Sequence, residues 1–118
     1  MKKRYRLTRR ADFERVLSRN RVFAGRAILG FAVAREGPGS RVGVSASRKL
    51  RGAVARNRAR RRLREVARRL LLAPDSPLAG RGIPYDVVLI ARPAAIELPF
   101  RSLEAEVRAL LERLAPPA

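Results

Sequence analysis

The chain has 118 residues with 28 Lys and Arg against 10 Asp and Glu, a formal charge of +18, and at 47% hydrophobic composition it can close one ordinary core. It contains no Cys and no His, which excludes disulfides, zinc fingers, thiol nucleophiles, Ser-His triads and histidine acid-base chemistry. A compact chain of this charge repels itself unless a polyanion is near; only Lys2, Lys3 and Lys49 are lysines, and the Arg fork grips phosphates, so nucleic acid is the implied partner.

The opening MKKRYRL is charged with no apolar run behind it, and no segment reaches the roughly 20 apolar residues that span a bilayer. No membrane partner and a cytoplasmic location are expected. One domain is expected over residues 1–118, with a basic arm at 1–6, a loop at 74–83 and a tail at 115–118. The charge is concentrated: residues 1–26 carry +8, 27–40 carry 0, 41–69 carry +11 and 70–118 carry −1. Apolar residues are woven regularly through the basic half, which argues for a folded basic surface rather than a disordered tail.

In LTRRADFERVLSRNRVF, Thr8 is the predicted N-cap of a helix over about residues 9–18, marked by Ala11, Phe13, Val16 and Leu17. RAILGFAVAR, the turn signal EGPGS and the alternating RVGVSAS predict a β-hairpin. From Ala53 to Leu72 the pattern is helical, with Ala55, Ala59, Leu63, Val66 and Leu70 as the core stripe; Asn57, Arg61, Arg64 and Arg68 lie opposite, and Arg58 and Arg60 on the flanks. YDVVLIARP predicts a buried strand that needs cover on both faces, ended by Pro93. LPFRSLEAEVRALLERL predicts a last helix with Leu103, Val107, Leu110, Leu111 and Leu114 inward, capped by Ser102 or the preceding turn. The fold class is α+β, a two-layer α/β sandwich with a small mixed sheet of about four strands and three helices in the order α-β-β(-β)-α-β-α.

RNRARRRLRE, residues 56–65, places six arginines in ten positions beside a single acid, Glu65. Charge runs are usually solvated faces, but those interleave Glu with Arg for pairing; this one is built to face an anion. A nuclear-import signal would not need the apolar stripe. Phe13, Phe23 and Phe31 are core by the ordinary reading, yet RNA-binding sheets expose rings for unpaired bases; Phe13, among Arg9, Arg10 and Arg15, and Phe31 are the candidates. Asp12 and Glu14 fall on different helix faces and read as solvated charges, and no acid pair has a spacing for hydrolysis or metal binding.

Five segments in order, RYRLTRRADFERVL, GRAILGFAVA, RVGVSASRKL, AVARNRARRRLRE and YDVVLIARPAA, resemble the protein component of bacterial ribonuclease P. The Arg-Asn-Arg centred on Asn57, followed by Arg61 and Arg64, is the most specific part of that resemblance. It implies an accessory subunit of an endoribonuclease that removes the 5′ leader of precursor tRNA, in which a catalytic RNA carries the chemistry with Mg²⁺, one protein per RNA, and this chain supplies no catalytic residue. It also implies a left-handed crossover through the basic helix, where general physics favours a right-handed one. By position it assigns Arg48, Lys49, Arg56, Asn57, Arg58, Arg61 and Arg64 to the RNA subunit, to which the basic face of the helix adds Arg60 and Arg68, and it assigns Phe13, Leu17, Phe31 and Ser45 to a cleft for the single-stranded leader. Leu17 stands where an aromatic is common, and Arg51-Gly52 where Gly-Asn is common. The competing reading is a structural RNA-binding protein such as a ribosomal protein. A helix-turn-helix DNA binder is disfavoured by the flanking strands, and a protein-only nuclease by the missing carboxylate cluster.

Overall fold

A computed structural model of the chain describes residues 6–19, 21–37, 39–73, 76 and 84–114. The tail expected at 115–118, nearly all of the arm expected at 1–6, and all of the loop expected at 74–83 except Ser76 lie outside the described residues.

The elements run α1 (Arg10–Leu17), β1 (Arg21–Ala24), β2 (Ile28–Ala34), β3 (Arg41–Ala46), α2 (Ala53–Leu70), β4 (Tyr85–Ala91), α3 (Ala94–Glu97) and α4 (Phe100–Leu114). The four strands form one sheet in the order β1-β2-β4-β3. The α+β class holds, with two corrections to the elements. The third expected helix is preceded by an extra turn, α3, which opens at Pro93 with helical φ and ψ; proline's fixed φ suits a helix start. The expected hairpin of β2 with β3 does not form. β2 pairs with β1 and with β4, while β3 pairs with β4 in parallel. β2 and β3 keep the antiparallel sense of a hairpin, but β4 lies between them. Its consecutive Val87, Val88 and Leu89 are fully buried, and only a central strand with both faces covered can hide such a run.

Two cores share the sheet. On one face, α2 and α4 press Ala59, Leu63, Val66, Leu103, Val107 and Leu110 onto Ile28, Val42, Val87 and Leu89. On the other, α1 covers only part of the strands: Leu7, Val16 and Val88 are buried there, with Phe13, Phe31, Val33 and Ile90 packed against them. The α2 stripe follows the period-3.6 expectation, except that Ala67 is buried where Ala55 and Leu70 are half-buried.

One capping expectation fails and another is narrowed to one of its two alternatives. Thr8 is not the N-cap of α1; Arg9 is, without a side-chain cap. The chain before it is already extended, with Arg6 bridged to Val42 and the Leu7 N–H donating to the Val42 carbonyl at 2.9 Å, so the helix starts one residue later. Ser102 lies inside the first turn of α4 and donates its N–H to Pro99, so the preceding turn starts that helix. Gly52 precedes α2 with φ 85°, a conformation that disfavours any side chain, and its carbonyl accepts the Arg56 N–H at 3.1 Å.

Candidate nucleic-acid interface

The ten-residue arginine run divides by direction. At 100° per residue, Asn57, Arg61 and Arg64 lie opposite Ala59, and they are exposed; with Val54 they line a shallow depression of about 390 Å³. Val54 is 83% exposed, an apolar side chain set among cations. Arg58 is exposed on the flank. Arg60 is half-buried and donates to the Asn57 side-chain carbonyl at 3.0 Å. Arg68 and Arg69 both pair with Glu65, at 2.6 and 3.1 Å, and the Arg68 hydrogen bond holds the Glu65 carboxyl below its usual range.

Arg56 and Arg62 turn the other way. Arg56 donates to the carbonyls of Ser47, Leu50 and Ala46 at 2.9, 3.2 and 3.2 Å. Arg62 donates to the carbonyls of Ala95, Ile96 and Leu98, the last two at 2.9 and 2.7 Å. Arg56, assigned to RNA by its sequence position, is thus half-buried and bound within the chain. Arg48 and Lys49 are exposed in the turn that Arg56 ties down, and the Lys49 N–H donates to the Ser47 hydroxyl.

The sheet face that α1 half covers carries the residues expected to line a cleft. Pairing aligns its floor in rows: Phe31, Val88 and Gly43 in one, Leu29, Ile90 and Ser45 in the next. Phe13 lies across the first row. A Cβ on Gly43 would fall 2.5 Å from the tip of the Phe13 ring, so the glycine is what admits the ring. Phe13 and Phe31 therefore meet around Val88, each half-buried, and Leu17, one turn after Phe13, is 37% exposed at the edge. Ser45 is half-buried in the second row. Phe23 belongs to the other core, with Arg113 stacked over its ring at 5.4 Å.

The floor continues into an opening of about 400 Å³ where β2 begins and β3 and β4 end, lined by Arg21, Arg26, Leu29, Ser47, Lys49, Arg92 and Pro93. Four cations and no acid line it. The sequence alone does not bring Arg92 beside Arg21 and Arg26, because a hairpin of β2 with β3 leaves no place for β4 between them; the usable signal is the period-2 alternation that puts Ser45 with Ser47 and Ile90 with Arg92 on one face.

At the other end of this face lies Asp86, fully buried. Arg41 grips it with two hydrogen bonds of 2.8 Å, Arg15 of α1 donates to it, and Arg35 stands 3.6 Å away. Burial alone would raise this carboxyl, but the Arg41 hydrogen bonds and the charges of Arg41, Arg15 and Arg35 outweigh burial and hold it below its usual range. The same bond raises the Arg41 guanidinium. Asp12 is not a solvated charge as expected: it is half-buried and 3.9 Å from Arg41, whereas Glu14 pairs with exposed Arg10. Among the described residues no three of Asp, Glu, His or Cys gather as a metal-ligand group, and no helix is long and apolar enough to cross a membrane.

The family model described as Ribonuclease P matches residues 1–115. The chain belongs to the ribonuclease P protein family. The ribonuclease P protein component of Symbiobacterium thermophilum is 44% identical over 114 residues, 96% of this chain and 93% of that protein. That of Acidothermus cellulolyticus is 42% identical over 114 residues, 94% of this chain and 88% of the other. Among solved structures, the Staphylococcus aureus RNase P protein superposes with a TM-score of 0.69 at 25% identity, covering 92% of this chain and 93% of that one. The Thermotoga maritima protein gives 0.68 at 23%, covering 92% and 96%, a likeness of fold. This chain is accordingly the protein subunit of ribonuclease P, part of an RNA-dependent endoribonuclease of tRNA 5′ maturation, with an RNA as its holoenzyme partner.

Proposed function

We propose that the subunit, a single domain working in the cytoplasm at one copy per RNA, uses its two basic surfaces for two different RNAs. The outward stripe of α2, Asn57, Arg61 and Arg64 with Arg58, Arg60, Arg68 and the preceding Arg48, contacts the catalytic RNA. The cleft of Phe13, Leu17, Phe31 and Ser45 takes the single-stranded 5′ leader of precursor tRNA, and Lys49 stands on its rim. The observation that carries this reading is the half-covered sheet face: two partly buried rings flank a floor that opens between cations, which suits bases on the rings and phosphates at the rim.

Catalysis stays with the RNA. The Mg²⁺ that serves its chemistry finds no ligand set among the described residues, where the buried carboxylate of Asp86 is already held by arginines, so no step of this chain runs through the metal. The protein's part is electrostatic and geometric. At +18 it screens the repulsion between RNA subunit and precursor, which lowers the Mg²⁺ demand. Leader contacts, absent in the matured product, give the precursor its preference.

Reconstitution tests this. At low Mg²⁺, precursor tRNA is expected to be cleaved only with protein and cognate RNA together, whereas cleavage by the protein alone would overturn the reading.

A further inference from the structure

The inward arginines of the basic run point at the rim of the cleft. Arg56 and Arg62 sit about 60° to either side of the buried Ala59 direction, so each side chain leaves α2 along a flank of its packed face. Arg56 reaches the turn after β3, and its three carbonyl acceptors, on Ala46, Ser47 and Leu50, bracket Ser47 and Lys49. Arg62 reaches α3, whose Ala95 and Ile96 N–H groups donate back to the carbonyls of Arg92 and Pro93. Ser47 and Lys49 form one wall of the basic opening and Arg92 and Pro93 a second, while Arg21, Arg26 and Leu29 complete it from the β1–β2 side. The first two walls are therefore tied to the same helix, by six hydrogen bonds from two guanidinium groups.

We propose that Arg56 and Arg62 are positioning residues that fix two walls of the leader cleft's basic rim, and that neither contacts a phosphate of the RNA subunit. The inference rests on the leader-cleft reading above and reassigns two members of the arginine run within it. A lysine cannot replace either residue, because its single ammonium does not reproduce the flat fork that spans several carbonyls at once. α2 thus has a division of labour along its length. Arginines at about 140–160° from the core direction hold the large RNA, and those at about 60° set the shape of the site for the small one.

The experiment uses holoenzyme reconstituted with Arg56→Lys, Arg62→Lys, Arg56→Ala, Arg62→Ala, Arg61→Ala or Phe13→Ala protein, and measures two quantities. The first is the ratio of affinities for precursor with its leader and for mature tRNA. The second is the slope of log affinity for the RNA subunit against log salt. R56K and R62K are expected to lower the ratio about fivefold or more, the loss of roughly one well-seated nucleotide, and to leave the slope unchanged. Arg61→Ala is expected to flatten the slope by about 0.7–0.9, one phosphate contact. A wild-type ratio in both lysine variants overturns the proposal. So does a flattened salt slope in Arg56→Ala or Arg62→Ala. If Phe13→Ala also leaves the ratio unchanged, the cleft reading itself fails; if Phe13→Ala lowers it and both lysine variants do not, only the positioning role fails. Should R56K not fold, R62K tests the second wall by the same ratio.

Discussion

The two faces of the sheet are finished to different degrees. Under α2 and α4 the surface is closed: Leu63, Val66, Leu103, Val107 and Leu110 are wholly buried against Ile28, Val87 and Leu89. Under α1, three apolar side chains are buried, and Phe13, Phe31, Val33 and Ile90 stay partly open. The closed face supplies the stability that lets the other be left incomplete, and incompleteness is what a ligand for the open face needs. One central strand serves both, since Val87 and Leu89 point into the closed core and Val88 into the open one.

This contrast can be broken most severely from the closed side. Leu63→Ala removes a fully buried side chain from the packed face and is expected to cost about 2–5 kcal/mol in chemical denaturation, enough to lose both surfaces together. On the open face the largest effect is electrostatic. Asp86→Asn leaves Arg41, Arg15 and Arg35 without their buried counter-charge and is expected to cost about 3 kcal/mol, loosening α1 from the sheet. Because the Asp86 carboxyl is held below its unfolded value, its contribution is fully present above the unfolded pKa near 4 and is lost as pH falls through the lower folded value. Wild-type stability should therefore drop in acid with a component that Asp86→Asn lacks, readable from unfolding midpoints between pH 7 and pH 2. The smallest effect is at Thr8. Because Arg9 holds the cap position, Thr8→Ala should change stability by less than about 0.5 kcal/mol, whereas a true N-cap would cost about 1 kcal/mol.

The closed face was largely legible in the sequence. The 3.6 period of α2 and α4 names the residues that pack, because a helix's buried stripe is a local property of spacing. The sheet was less so. The order β1-β2-β4-β3 depends on pairings between Ile28–Ala34 and Tyr85–Ala91, more than fifty positions apart, for which a turn signal such as EGPGS gives no warning. β1 has only four residues, too short for alternation to stand out. The site was legible in its parts and not in its assembly. Phe13, Phe31 and the outward Asn57, Arg61 and Arg64 follow from pattern and from resemblance to the family. Arg56, Arg62 and Asp86 do not, because a charge is expected outside unless its buried partner is known, and their partners are backbone carbonyls and cations from distant segments. The angular position of Arg56 and Arg62 beside Ala59 is the one local hint.

The account rests on the open face being the place where precursor is told from product. The direct measurement is holoenzyme affinity for precursor tRNA with leaders of graded length and for mature tRNA, with wild-type and Phe13→Ala protein. Wild type should bind more tightly as the leader lengthens into the cleft, and Phe13→Ala should lose about 1–3 kcal/mol of that gain while its affinity for mature tRNA stays the same. An equal gain with leader length in both proteins would contradict the claim.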